Sequence, residues 1–330
     1  MFRAYVVEKK EDSYIGNVIE KSFDALPNNG LMVKVFYSSL NYKDALSAIG
    51  AKGVTRQYPH TPGIDAVGEV YECKDGKFKK GDHVIVTGHD LGMDTSGGFA
   101  EFICVPSEWA IPLPKELSMY EAMCLGTAGL TAAIGIDLLE QKNGLTDKKA
   151  IVNGATGGVG YIAVNILSQL GVLVTAVTGK KSNAENDLRY LGASEVLSRE
   201  EMNSFARYPL SKGIWDIGYD IVGGDMLTDM LTFMKVGGSI ACCGNVRGAD
   251  FSTSVFPFIL RGNSLLGVDS QGISLEKRDY LWQKLATDWK PDGIEKFSKV
   301  INLSGLNEEI ALILKGKQSG RIVVSLDKVE

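Results

Sequence analysis

Histidine is nearly absent from this chain: His60, His83 and His89 are the only three in 330 residues. None belongs to an HExxH sequence and none pairs with cysteine at metal-finger spacing, so no metal site is expected. Cysteine is sparse as well. Cys73, Cys104, Cys124, Cys242 and Cys243 make an odd count with no CxxC, which argues against a disulfide framework and for a reduced compartment. Cys242 and Cys243 fall in an apolar strand-like stretch, where burial accounts for them. There is no GxSxG elbow, Cys104 has no neighbouring base, and the paired Glu200 and Glu201 read as a solvated helix start rather than a hydrolase dyad. These absences leave redox chemistry as the leading case.

An excess of positive charge is missing too. The net charge of −5 and pI near 5.4 give no support to a nucleic-acid partner. No apolar run is expected to span a bilayer, because residues 154–177 carry the turns and small residues of an α/β unit. No secretory leader pattern opens the chain: residues 1–7 read as a strand and 8–11 as a charged turn. A cytoplasmic protein without a membrane partner is expected.

What is present fits two domains, with 45% hydrophobic and 23% charged residues. Strand patterns at 31–37, 63–71, 81–87 and 97–102, with a short helix over 41–49, give the first third a β-rich texture. From residue 122 the pattern alternates. A helix over 122–139 is followed by a strand at 150–153, a glycine turn, a helix at 161–170 and a strand at 171–177. Further strands are expected at 195–197, 217–222, 238–243 and 263–268, with helices ending near 191 and spanning 226–235. The chain closes on a strand at 321–326. The expected class is α/β, divided as 1–123, a nucleotide-binding domain at 124–265, and 266–330 returning to the first domain.

The strongest chemical motif is Gly154-Ala155-Thr156-Gly157-Gly158-Val159-Gly160. It follows an apolar strand and opens a helix. Glycines there let the backbone approach a pyrophosphate, and the helix N-terminus offers free N–H groups and a favourable dipole. The end of the next strand then bears on the cofactor. An NAD site places an acid there for the ribose hydroxyls. Here the sequence runs Thr178-Gly179-Lys180-Lys181-Ser182, with two cations and no acid, which favours NADPH and its additional phosphate. A solvated lysine pair is the alternative.

Together with Ser39-Leu40-Asn41-Tyr42-Lys43-Asp44, Pro59-His60-Thr61-Pro62-Gly63-Ile64-Asp65 and Gly320-Arg321, the glycine turn makes nearly the whole chain resemble the zinc-independent medium-chain dehydrogenase/reductase superfamily. Within it the resemblance is to the quinone-oxidoreductase-like branch that contains bacterial acrylyl-CoA reductase. Zinc-dependent relatives carry Gly-His-Glu where this chain has Pro62-Gly63-Ile64-Asp65, and they have a cysteine-rich lobe that is missing here. The resemblance implies a GroES-like β-rich catalytic domain, a Rossmann domain, a cleft between them, and a homodimer joined through an edge strand at 263–268.

It also implies cofactor contacts at Tyr42, Gly157, Gly158, Val159, Gly160, Thr178, Gly179 and Lys180, with Arg199 on the adenosine phosphate and Asn245 and Ser270 near the nicotinamide. Arg199 could equally be a surface arginine beside acids, and Asn245 and Ser270 ordinary turn residues. Tyr42 is the first catalytic and substrate-binding candidate, its ring shaping the nicotinamide pocket and its hydroxyl orienting substrate; otherwise it anchors the 41–49 helix. Asn41 would donate to substrate or cap that helix, and Asp44 would favour the first turn electrostatically. Arg321 would reach a phosphate or substrate, or else form a structural salt bridge. Lys43, Lys52 and Arg56 could attract CoA phosphates or simply be surface charges. The implied reaction is NADPH-dependent reduction of a small activated alkene, acrylyl-CoA or a similar short enoyl thioester. A quinone or small-enone reductase and a noncatalytic NADPH-binding redox sensor are the alternatives.

Overall fold

The β-branched and aromatic run that opens the chain forms β1 (Phe2–Lys10). The charged residues expected as a turn extend it instead, and Glu11, at φ 54°, reverses the chain into β2 (Ser13–Lys21). Next come β3 (Leu31–Leu40), α1 (Tyr42–Ala48), β4 (Asp65–Cys73), β5 (His83–Thr87), β6 (Phe102–Val105) and β7 (Ala110–Pro112). The long helix α2 (Met119–Asn143) leads to β8 (Lys149–Val152), α3 (Gly158–Gln169), β9 (Leu173–Val177), α4 (Lys181–Tyr190), β10 (Glu195–Leu197) and α5 (Arg199–Asn203). After β11 (Trp215–Asp220) follow α6 (Gly224–Thr232), β12 (Met234–Cys242), α7 (Phe256–Arg261) and β13 (Ser264–Gly267). The chain ends with α8 (Leu275–Ala286), β14 (Ser298–Ile301), α9 (Leu306–Leu314) and β15 (Arg321–Ser325).

This computed structural model describes residues 1–27 and 30–326, which fall into two units. One comprises Met1–Thr127, Gln271–Thr287 and the chain from Gly293; the other comprises Ala128–Ser270 and Asp288–Asp292. The first boundary therefore falls after 127 rather than 123, just past a break in α2, and the second after 270 rather than 265.

In the first unit, the described residues form a largely antiparallel sheet in the order β14-β15-β3-β4-β5-β7, with β6 also paired to β3. Its apolar face carries Val33, Val35, Ala66, Val84, Ile322 and Val324, and the buried faces of α1 and α9 pack on it through Ala45, Leu306 and Ile310. The strand expected at 97–102 begins only at Phe102. Residues 97 and 98 turn away from the ladder because their amides bond to Thr61 and Gly63 carbonyls at 2.7 Å each.

In the second unit, β10-β9-β8-β11-β12-β13 form a parallel sheet, every adjacent pair in parallel register. This is the doubly wound nucleotide-binding order, reversing direction between β8 and β11. Parallel strands covered on both faces read as short apolar runs, and Ala150, Ile151 and Val152 are all buried.

Helix α2 corrects one expectation. By length and composition it could cross a membrane, yet 94% of its most apolar window is buried inside the fold. Its apolar residues are core contacts. Gly126 breaks its helical geometry at φ 52°, ψ −153°, a conformation open essentially to glycine. A methyl group there would lie 2.5 Å from both Asp65 Oδ2 and Ser39 Oγ.

Candidate functional site

Two sets of polar residues stand out, one in each unit. In the first unit, the end of β3, the start of β4, the N-terminus of α1, the Gly126 break and the start of β15 converge on Asp65. This carboxylate is fully buried. It accepts hydrogen bonds from Ser39 Oγ at 2.5 Å, Asn41 Nδ2 at 2.7 Å, and Thr127 through its amide at 3.0 Å and its hydroxyl at 2.5 Å. Arg321, also buried, brings its guanidinium to within 3.9 Å of Asp65. The same guanidinium donates to Ser39 Oγ at 2.7 Å, Asn41 Oδ1 at 3.2 Å, and the Leu40 and Cys124 carbonyls. Burial pulls the Arg321 guanidinium below its ordinary value, and the Asp65 charge opposes that shift.

Asp44 stands beside this cluster. It accepts from the Asn41 amide at 2.8 Å and the Ile64 amide at 2.8 Å, tying α1 to the approach to β4. Burial, then repulsion from Asp65, pushes its carboxyl up to about 7, against the hydrogen bonds from Asn41 and Ile64.

These contacts place three of the expected residues. Asn41 is the N-cap of α1, with its side-chain amide committed to Asp65 and Arg321. Arg321 is spent on protein groups, which is the salt-bridge alternative rather than a ligand contact. Tyr42, the first residue of α1, is half-buried, and its hydroxyl has no hydrogen-bond partner among the described residues. Asp65, Ser39 and Thr127 had no assigned role in the sequence. Ser39 and Asp65 lie in the Ser39–Asp44 and Pro59–Asp65 landmarks, and Thr127 in neither.

In the second unit, the glycine turn follows β8 and opens α3, with Gly157 as N-cap and Gly158, Val159 and Gly160 in the first turn. Gly154 sits at φ 59°, and a side chain at Gly160 would strike the Gly154 carbonyl. The helix N-terminus is thus laid closely on its own turn, with Gly157, Gly158 and Val159 half-buried. Past β9, the Thr178 hydroxyl meets that of Thr156 at 3.1 Å and accepts from the Lys180 amide at 3.1 Å.

The two lysines then separate. Lys181 forms an ion pair with Glu201 at 2.7 Å. Lys180 is lowered from its ordinary value by burial and by the Arg199 cation. Arg199 lies against Gly179, where a methyl would sit 2.8 Å from its Cζ. Arg199 and Lys180 therefore bring two cations to the end of β9, close enough for one to lower the other. Asn245 is exposed in the loop after β12, and Ser270 is half-buried after β13.

Comparison with known proteins is consistent along the whole chain. Residues 27–115 match the family described as alcohol dehydrogenase GroES-like domain, and 158–287 the one described as zinc-binding dehydrogenase. The chain is 41% identical to the putative quinone oxidoreductase YhfP of Bacillus subtilis, over 99% of both proteins. The crystal structure of YhfP with NAD bound superposes at a TM-score of 0.94, covering 98% of this chain and 99% of that one. The acrylyl-CoA reductase AcuI of Ruegeria pomeroyi is 40% identical, over 99% of this chain and 100% of AcuI. The yhdH oxidoreductase of Salmonella enterica, crystallised with NADP, is 36% identical at a TM-score of 0.94, covering 98% of this chain and 100% of that one. The zinc in the second description does not fit the residues present. The oxygens of Asp65 are taken by Ser39, Asn41 and Thr127 beside a buried arginine, and among the described residues no three His, Cys, Asp or Glu group to hold a metal.

Proposed function

The chain belongs to the medium-chain dehydrogenase/reductase superfamily, in its quinone-oxidoreductase-like branch, and from that premise we propose that it is an NADPH-dependent reductase of acrylyl-CoA or a similar short 2-enoyl thioester. Lys180 and Arg199 at the end of β9 carry the cofactor half of this reading, because they stand where an NAD site has an acid and offer two donors for a phosphate. Likeness to AcuI along the full chain supports the thioester. Likeness to YhfP favours a second reading, reduction of quinones or small enones with the same cofactor machinery.

When bound, NADPH supplies the hydride that reaches the β carbon of the alkene. The α carbon takes a proton, and negative charge develops meanwhile on the carbonyl oxygen. The protein must meet that charge with a positioned donor. Tyr42 is the residue for this, since its hydroxyl has no protein partner among the described residues and its backbone is fixed by the capped start of α1. Asn41 and Arg321 act through position, holding the α1 N-terminus to β4 and β15.

The chain also assembles as a homodimer through β13. This strand ends the order of the parallel sheet, and Ile259 and Leu260 on the preceding helix are 68% and 62% exposed. A mass near twice 35.7 kDa is expected by light scattering of the native protein. A monomeric mass at micromolar concentration would remove the dimer.

Changing Lys180 or Arg199 to alanine is expected to weaken NADPH binding about tenfold while leaving NADH binding unchanged. Lys181→Ala is expected to change neither affinity, because Lys181 is held by Glu201. Equal losses for all three variants in fluorescence titrations would refute the clamp. Initial rates of NADPH oxidation should be highest with acrylyl-CoA, compared with a matched small enone and a quinone. Tyr42→Phe should lower turnover roughly a hundredfold with little change in NADPH affinity. Turnover of the enone or quinone alone would pass the function to the second reading, and unchanged kinetics of the variant would take the hydroxyl out of the reaction.

A further inference from the structure

Between β8 and β11, where the strand order of the parallel sheet reverses, two fully buried polar side chains face each other: Asn153 and Asp220. Each is the residue on which a cofactor loop begins. Asn153 immediately precedes the glycine turn, and Asp220 ends β11 ahead of the 221–223 segment. The Asn153 amide donates to the Asp220 carboxylate. Its oxygen accepts from the Ile221 amide at 2.6 Å, reaching across to the neighbouring loop. Asp220 in turn accepts from the Gly223 amide at 3.1 Å and from the Val222 amide at 3.4 Å. The pair thus holds three consecutive amides of 221–223.

The glycine turn and the loop that carries Asn245 both rest on that segment. On one side, a methyl at Gly154 would meet the Val222 side chain at 3.0 Å, so the glycine turn lies directly against it. On the other side is the loop that carries Asn245. The Cys243 amide donates to the Asp220 carbonyl and the Arg247 amide to the Val222 carbonyl, each at 3.0 Å. Gly223 packs so closely under this loop that a methyl would lie 2.7 Å from the Gly244 and Gly248 carbonyls. The 221–223 segment therefore serves as a shared floor for the phosphate turn and the 243–248 loop.

We infer that Asn153 and Asp220 are positioning residues that set the spacing between the pyrophosphate turn and the Asn245 loop, and so determine how well a whole dinucleotide fits relative to its adenosine half alone. This rests on the cofactor reading above. A pair that merely held the sheet together would affect every ligand of the unit alike. A pair that sets spacing matters to NADPH, which must reach both loops. It matters little to 2′,5′-ADP, which reaches the glycine turn and the Thr178–Lys180 and Arg199 end but not the Asn245 loop.

The test is to titrate NADPH and 2′,5′-ADP into the wild-type protein, Asp220→Asn and the reciprocal double variant Asn153→Asp/Asp220→Asn. In the double variant the carboxylate and amide exchange strands, and the donor–acceptor bond between them can form again. Asp220→Asn is expected to weaken NADPH about tenfold and 2′,5′-ADP less than about twofold, with the double variant recovering most of the NADPH loss. Equal losses for both ligands, or NADPH affinity unchanged in Asp220→Asn, would overturn the inference while leaving the cofactor reading intact. Wild-type protein that binds neither ligand would overturn both. If Asp220→Asn does not fold, the double variant decides: near-wild-type binding of NADPH supports the pair, and selective failure to bind NADPH while 2′,5′-ADP still binds overturns the reciprocal geometry.

Discussion

A single buried carboxylate, Asp65, organises the first unit. A charge taken out of water is costly unless every lone pair is met and an opposite charge stands close. Here Ser39, Asn41 and Thr127 fill its oxygens, and Arg321 supplies the balancing charge from β15. Each of those partners belongs to a different element. Meeting the needs of one carboxylate therefore fixes the end of β3, the cap of α1, the break in α2 and the start of β15 together. Gly126 follows from this constraint, since a side chain at the break would enter the space that the cluster occupies. Tyr42 inherits its place because it is the first residue of a helix capped by that cluster.

The second unit solves a different problem with similar means. In the proposed reading its ligand-facing features are backbone: the amides of a glycine turn, a helix N-terminus and two loops at the reversal of the sheet. In that reading side chains act by fixing the backbone, as Asn153 and Asp220 do, or by adding charge at one end, as Lys180 and Arg199 do. Of the two lysines adjacent in sequence, Lys181 is paired with Glu201, twenty residues on.

This difference marks what the sequence could reveal. The βαβ alternation around the glycine turn was legible because parallel strands and their helices carry strong, local apolar patterns. All six strands of that sheet lie within a few residues of their expected positions. The hairpin strand β2 was not legible, since most of Ser13–Lys21 is exposed and, among the described residues, it pairs with β1 alone. The polar cluster was legible only in part. Asn41 and Arg321 were singled out, but their shared partner Asp65 was not, because Ser39 and Arg321 meet across 282 residues and no local pattern records that. The pairing of Lys181 with Glu201 was hidden for the same reason.

Amide hydrogen exchange in the wild type and in Asp65→Asn tests the dependence on Asp65 most directly. Loss of the carboxylate should lower protection at Thr127 and at the first amides of α1 by about tenfold or more, the cost of leaving buried donors and the Arg321 charge without it. The amides of β8 and β11 should keep their protection. Unchanged exchange at Thr127 and α1 would contradict the account and leave Asp65 as one buried polar residue among many.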